Sequence, residues 1–371
     1  MALTAIMVLV FSIAIAIPTA WSIVGVARGK PGSWPGLAGA VWAALLLLVA
    51  IVGSAAGWGE VADAKGTVVC RHADVKNDND CQPGVWKPER GHASGCAPLY
   101  RGGLDGAMPA AAYCRAGTAP VYSFCEHFQS GGVKQPWATW SDLSFVAAGL
   151  WLLWMFQFFG TPGTSSSGAT TISMTADNPI ITVGWLSVAY AFIVIFMGPP
   201  SMWYHASMKA WAGWFDAMSV VAWLSFNAVY VGYTACFSMW GNGRGTARTV
   251  TVMCVWASLV FVLGLIGVLA PEHHLVLYLV SGTAWGMAEV AYLIAAGAGA
   301  PKYLRTWWLF AITAGWLAVT MGLWLLFNDS VIAPTTCQGR EGFPGHALFH
   351  ILASFATVFA FLSFASERRV R

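Results

Sequence analysis

Nine stretches of mostly apolar sequence dominate this chain of 371 residues. A helix of about 20 apolar residues is long enough to cross the hydrocarbon core of a bilayer. The nine predicted spans lie near residues 3–27, 36–57, 137–159, 180–203, 212–239, 250–270, 275–297, 305–327 and 344–365. Only 9% of the residues are charged, whereas soluble domains are about a quarter charged. We therefore predict an all-α polytopic membrane protein.

The spans divide the chain into three predicted parts. Residues 1–57 should form a two-helix membrane hairpin, and residues 136–371 should form a bundle of seven spans. Residues 58–135 lie between them, are polar and rich in Gly and Pro, and are too long for a simple turn. We therefore predict a Cys-rich extramembrane cap between the two membrane units.

Charges in the loops predict how the spans are oriented. With nine spans, Lys and Arg concentrate on one side of the membrane, at Arg28, Lys30, Arg244, Arg248, Lys302, Arg305 and the segment 367–371. Cytoplasmic loops of membrane proteins carry an excess of Lys and Arg. The N-terminus is therefore expected outside, the C-terminus in the cytoplasm and the cap on the extracytoplasmic face. The net charge of +3 is small and spread among loops, so nucleic acid is not an expected partner.

Six of the eight cysteines fall on the predicted extracytoplasmic side: Cys70, Cys81, Cys96, Cys114, Cys125 and Cys337. An even number of cysteines in an oxidising compartment favours disulfides, here three, whose pairing the sequence leaves open. Cys337 would then connect the cap to the loop before the last span. Cys236 and Cys254 lie within spans and are expected to be free thiols.

Two pairs of polar residues with the same spacing occur in distant spans. Ser201 and His205 lie four residues apart at the end of one span, and Asp216 lies near the start of the next. His346 and His350 repeat the spacing at the start of the last span. Residues four apart share one helix face. All five would lie at similar depth near the extracytoplasmic side, and ionisable groups inside a membrane usually mark a site.

These residue types predict a zinc centre with His205, His346 and His350 as ligands. Three neutral imidazoles and an exchangeable water form the open tetrahedral site of a catalytic zinc, which acidifies the water and polarises a carbonyl. Asp216 would accept the proton of that water or orient a histidine, and Ser201 would donate to the developing oxyanion. A single His in an apolar helix usually serves only packing. Three histidines, a serine and an aspartate at one depth together favour a site.

Three other polar residues have two interpretations each. Glu289 lies near the middle of its span, where a charge is costly. It could relay protons or contact substrate, or it could be a protonated carboxyl that is hydrogen-bonded between helices. Ser141 and Asp142, at the start of the first span of the bundle, could support the site or simply connect helices.

The motifs resemble those of the alkaline ceramidase family, seven-span zinc-dependent transmembrane hydrolases in a wider group that includes the progestin and adiponectin receptors. The resemblance covers residues 123–365 and rests on Ser201-x-x-x-His205, Asp216 and the segment His346-Ala-Leu-Phe-His350-Ile-Leu-Ala. It implies a seven-helix ceramidase-like bundle in which the three histidines bind zinc. It also implies that the serine assists the oxyanion and that the aspartate serves the zinc-bound water.

Two departures from the family pattern concern calcium. Eukaryotic members carry an acidic calcium-binding segment before the first span of the bundle. In the matching stretch of this chain Glu126 is the one anionic residue, and Gln135 stands where a Glu is expected. Because calcium requires several oxygen ligands, a calcium site is not favoured.

The resemblance predicts a hydrolase of a lipid amide, ceramide or another N-acyl lipid, that acts through zinc-activated water in the membrane. The expected partners are therefore a lipid substrate and the bilayer. Two alternatives stay open: a receptor-like protein or complex subunit with a structural zinc site, and a lipid esterase on the same site. Fold analogy does not decide among them, because function depends on the site.

Overall fold

The computed structural model describes residues 2–30, 33–55, 61–62, 68–70, 133, 135–159, 180, 184–207, 210–240, 246–269, 274–297, 303–327 and 344–369. The main elements in these ranges are helices: α1 (Ala2–Ala27), α2 (Ser33–Ala55), α3 (Pro136–Ser141), α4 (Leu143–Phe159), α5 (Gly184–Ser207), α6 (Ala210–Trp240), α7 (Thr246–Leu269), α8 (His274–Gly297), α9 (Trp307–Leu326) and α10 (Gly345–Ala365). Short strands form two antiparallel pairs, β1 (Val61–Ala62) with β2 (Val68–Cys70), and β3 (Tyr303–Leu304) with β4 (Arg368–Arg369).

Seven of the described helices are long and apolar enough to cross a membrane: α1, α2, α5, α6, α8, α9 and α10. Asp142 interrupts the helix in the predicted span 137–159 and separates α3 from α4, which has 17 residues. In α7 the part whose side chains are described is the apolar stretch Met253–Gly267, which is shorter than a membrane span. The helical class and the character of an integral membrane protein are therefore confirmed for the described chain, in which seven of the nine predicted spans are candidate membrane helices. The other two spans, at α4 and α7, stay predictions.

The N-terminal hairpin packs against the bundle. Helix α1 packs on α4, and α2 packs on both α4 and α5. Gly53 permits a close approach, because a Cβ atom at this position would lie 2.7 Å from the indole ring of Trp203. Small residues at helix contacts are typical of membrane bundles. The hairpin therefore contacts the same helix that carries Ser201 and His205.

The remaining helices form the bundle that positions the site. Extensive contacts join α4 to α5, α5 to α6, α6 to α8 and α9 to α10, and α10 also packs on α3 and α4. Helices α4 and α5 approach closely at Gly149, where a Cβ atom would lie 2.7 Å from the carbonyl oxygen of Ala191. At Gly198 of α5, a Cβ atom would lie 2.7 Å from the carbonyl oxygen of Asp142, between α3 and α4. As a result, α3, the end of α5 and the start of α10 meet at one end of the bundle.

Most of the predicted cap lies outside the described residues, which include only β1, β2, residue 133 and Gln135 of it. The predicted disulfide set is likewise not described, since Cys81, Cys96, Cys114, Cys125 and Cys337 all lie in undescribed segments, as does Glu126. Cys254 is free and exposed on α7, as predicted.

Candidate metal centre

The three histidines that the sequence spacing singled out lie together in the fold. His205 is in the last turn of α5, and His346 and His350 are in the first turns of α10. One ring nitrogen from each residue lies within 4.8 Å of the other two. All three side chains are buried, with no more than 3% of their surface exposed. The group could therefore hold a metal ion, as predicted.

The ring nitrogens of His205 and His346 face each other, with their Nε2 atoms 3.3 Å apart. Two nitrogen ligands at about 2.0–2.1 Å from a tetrahedral zinc ion are separated by about 3.3–3.4 Å. The observed separation therefore fits two ligands of one ion. Imidazole suits zinc, copper, iron and nickel alike, so the donor set would suit several transition metals and does not select zinc.

Gln135, the residue before α3, orients His205. Its side-chain oxygen Oε1 accepts a hydrogen bond from Nδ1 of His205 at 2.6 Å. Because a carbonyl oxygen can only accept, Nδ1 must carry the proton, and Nε2 keeps the lone pair that a metal needs. The backbone amide of Gln135 also donates to the carbonyl of His205 at 3.0 Å. Gln135 entered the sequence reasoning only as a departure from a calcium motif, so this role was missed.

Ser141 and Asp142, at the other end of α3, orient His350. Nδ1 of His350 lies 2.9 Å from the hydroxyl oxygen of Ser141 and 3.0 Å from Oδ1 of Asp142. The Ser141 hydroxyl already donates to the carbonyl of Ala138 at 2.7 Å. Ser141 must therefore accept from His350, whose Nδ1 carries the proton while Nε2 stays available for a metal. Of the two interpretations of Ser141 and Asp142, support of the site agrees with these contacts.

Helix α3 thus orients histidines on two different helices. The residue before it contacts the ring on α5, and the residues at its end contact a ring on α10. Partners of this kind fix the tautomer and direction of a metal-binding imidazole. The sequence contained a signal for this arrangement, since polar Gln135 and Asp142 flank a short apolar segment at the start of a predicted span.

Ser201 and Asp216 lie beside the histidines. Ser201 is one turn before the histidine of α5, and Asp216 is in the second turn of α6. The Ser201 hydroxyl lies near the carboxyl groups of both Asp142 and Asp216, and both carboxyls are within electrostatic range of His350. The residues named from spacing are therefore neighbours in space. Asp142 lies beside them, as one of its two interpretations expected, and Gln135 is added by the structure.

Glu289 lies elsewhere and is hydrogen-bonded between segments of the bundle, as its second interpretation expected, with Arg305 as a partner that the sequence reasoning did not name. Its two carboxylate oxygens lie 2.7 and 2.8 Å from Nη1 of Arg305, and one of them accepts from the indole of Trp285 at 3.0 Å. Arg305 also pairs with Glu367 at 2.6 Å.

Arg305 entered the orientation argument as a loop charge, yet only 4% of its side chain is exposed. The predicted orientation therefore loses one of its supporting charges, because this guanidinium is buried and paired with two glutamates instead of lying in a solvated loop.

The fold and the site define the class of this protein: an almost entirely helical integral membrane protein with a buried three-histidine group that could hold a metal ion. Comparison with protein-family models, with curated proteins and with solved structures finds no match to the chain.

The Gln135 contact predicts how metal binding responds to mutation. Gln135→Met removes the acceptor of His205, so we expect the affinity for zinc to fall by about 10–100-fold, as for other partners of metal-bound histidines. Gln135→Glu keeps an acceptor oxygen and should retain the affinity. Competition with a zinc-binding dye measures both variants. Equal affinity in Gln135→Met and the unmodified protein would contradict the assigned role.

Proposed function

We propose that this protein is a zinc-dependent membrane hydrolase that cleaves the amide bond of an N-acyl lipid, such as ceramide. The observation that carries the proposal is the buried group of three imidazoles, two of them oriented by hydrogen-bond partners, with Ser201 and Asp216 beside it. Polar groups that are buried in an apolar bundle are costly unless partners or an ion satisfy them. The resemblance of the motifs to those of alkaline ceramidases favours an amide as the bond that is cleaved.

His205, His346 and His350 would each hold the ion through one ring nitrogen. Gln135 favours the required tautomer of His205, and Asp142 favours that of His350. Three protein ligands leave a fourth position for water or substrate, which is typical of catalytic rather than structural zinc. When bound, zinc supplies Lewis acidity to the substrate carbonyl and to water.

Asp216 is the proposed general base. It accepts a proton from the water whose oxygen forms the new bond to the carbonyl carbon. The carbon–nitrogen bond then breaks, and the same proton passes to the leaving nitrogen. One amide and one water thus give one carboxylic acid and one amine, and the carboxylate of Asp216 is regenerated.

Ser201 is the proposed hydrogen-bond donor to the oxyanion. Its hydroxyl lies near the carboxyl group of Asp216, which would accept its proton in the resting site. Once Asp216 has taken up the proton of the water, that carboxyl accepts a hydrogen bond less well. The hydroxyl proton of Ser201 then becomes available when negative charge develops on the carbonyl oxygen. In this order of events, proton transfer to Asp216 is coupled to stabilisation of the oxyanion by Ser201.

The position of the site suits a lipid. The histidines lie at the ends of α5 and α10, both of which are apolar enough to span a membrane. A bond next to the headgroup would lie at this level, while the acyl chain extends along the apolar helices. With the orientation predicted from loop charges, the site is near the extracytoplasmic face and the C-terminus is cytoplasmic.

A substrate panel tests the proposal. Purified protein in lipid nanodiscs is incubated with N-acyl sphingoid bases, other N-acyl lipids and ester analogues of matched chain length, and mass spectrometry measures fatty acid and amine or alcohol. We expect fatty acid and amine in equal amounts from at least one amide. Cleavage of esters alone would indicate the esterase. A protein that cleaves nothing but loses its fold on metal chelation would have a structural metal site.

A further inference from the structure

A second buried cluster of charged and polar side chains lies at the end of the bundle away from the histidines. We name it the Arg305 clasp, and it consists of Arg305, Glu289, Glu367, Tyr230 and Tyr292. Arg305 contacts Glu289 through Nη1 and Glu367 through Nε, at 2.7 and 2.6 Å. The hydroxyl of Tyr230 donates to the second oxygen of Glu367 at 2.8 Å. The proposed hydrolytic reaction uses none of these groups.

The clasp also fixes the backbone around Arg305. The backbone amide of Arg305 donates to the hydroxyl of Tyr292 at 3.2 Å, and the next amide, of Thr306, donates to the hydroxyl of Ser366 at 3.0 Å. The guanidinium lies over the ring of Tyr292, 4.3 Å from its centroid. Strand β3 before Arg305 pairs with β4 in the C-terminal segment. Side-chain and backbone contacts thus join the segment before α9 to the segment after α10.

The members of the clasp come from helices that pack as two separate pairs. Helix α8 packs along α6, and these two helices supply Glu289, Tyr292 and Tyr230. Helix α9 packs along α10, and Arg305 and Glu367 lie just outside the ends of these helices. Direct packing between α8 and α9 is slight in the described chain. The clasp therefore crosses a seam between the two pairs.

The guanidinium of Arg305 pairs with carboxyl groups on both sides of this seam. Burial lowers the pKa of Arg305, but the carboxylates of Glu367 and Glu289 outweigh it, and the pKa rises overall. The guanidinium therefore stays charged. Removing the cation would leave two carboxyl groups in a buried site without their partner, which is strongly unfavourable. Removing one carboxyl group would leave the other ion pair intact.

We propose that the Arg305 clasp is the closure of the bundle at this end, and that the bundle opens along the seam between α8 and α9 when the clasp is broken. The α6–α8 pair then separates from the α9–α10 pair, and the C-terminal segment leaves β3. This inference does not depend on the proposed hydrolytic activity, because it concerns contacts at the opposite end of α10 from the histidines.

Hydrogen exchange of the full-length protein in nanodiscs tests the closure. Exchange is measured in peptides from the end of α8 and from the C-terminal segment. Arg305→Met should speed exchange in both peptides, Glu289→Gln mainly in α8, and Glu367→Gln mainly in the C-terminal segment. Arg28→Met is the matched control, since Arg28 is exposed in the loop after α1 and its loss should change neither peptide.

The pattern of exchange decides the proposal. Faster exchange in both peptides of Arg305→Met, with only one affected by each glutamine variant, supports a cation that bridges the seam. If Arg305→Met does not fold, the two glutamine variants still test the bridge, because each keeps one ion pair. Unchanged exchange in all variants would overturn the proposal. So would a change in the same single peptide whichever partner is replaced, because the contact would then be local.

Discussion

Replacing His350 by alanine is expected to remove the metal from the purified protein and, with it, all measurable hydrolysis of an N-acyl lipid. The variant leaves two imidazoles, fewer than the three protein ligands of a catalytic zinc site. It also removes the partner of Asp142, which lies 3.0 Å from the ring of His350 in a buried site. Elemental analysis of the protein after dialysis gives the metal content, and fatty-acid release gives the turnover.

Ser354→Ala is the matched control for this variant. Ser354 lies one turn further along α10, and its hydroxyl bonds to the backbone carbonyl of Ile351 at 2.7 Å. Its loss should leave both metal content and turnover unchanged. A His350→Ala protein that keeps one metal ion per chain would show that this histidine is not a ligand.

Asp216→Asn is expected to keep the metal and lose turnover by about 10²–10⁴-fold, the usual contribution of a general base. Asparagine has nearly the same shape as aspartate but does not accept the proton of the attacking water. The affinity for zinc should stay close to that of the unmodified protein, because Asp216 is proposed to transfer a proton and not to bind the metal. Dye competition and steady-state hydrolysis measure the two quantities separately.

Asp142→Asn provides the comparison, since it changes the other carboxyl group near Ser201. Asp142 contacts His350, so its replacement should weaken zinc binding by about 10–100-fold, as expected for a residue that orients a ligand. The two variants therefore separate proton transfer from positioning. Loss of metal from Asp216→Asn, or full turnover by that variant, would contradict the role given to Asp216.

The sequence predicted what depends on local pattern. Apolar length revealed the spans, and the four-residue spacing of His346 and His350 placed both rings on one face of α10. The convergence with His205 also followed, because span counting put the relevant helix ends on the same side of the membrane. These inferences use only distances along the chain.

The contacts that were missed depend on tertiary packing. Arg305 pairs with Glu289, 16 residues away, and with Glu367, 62 residues away. A basic residue in a short loop near Lys302 has the local sequence of a solvated charge, and its burial follows only from how the helices pack. The break at Asp142 was missed for a similar reason, because a single polar residue in an apolar run does not by itself interrupt a helix.

X-ray absorption at the zinc edge, recorded on protein purified with zinc and dialysed, tests the central claim most directly. The claim is that histidines from α5 and α10 bind one metal ion. We expect about one zinc per chain, with a spectrum that requires three imidazole nitrogens at about 2.0–2.1 Å and one further light atom. Protein without bound zinc, or a spectrum dominated by sulfur ligands, would contradict the claim.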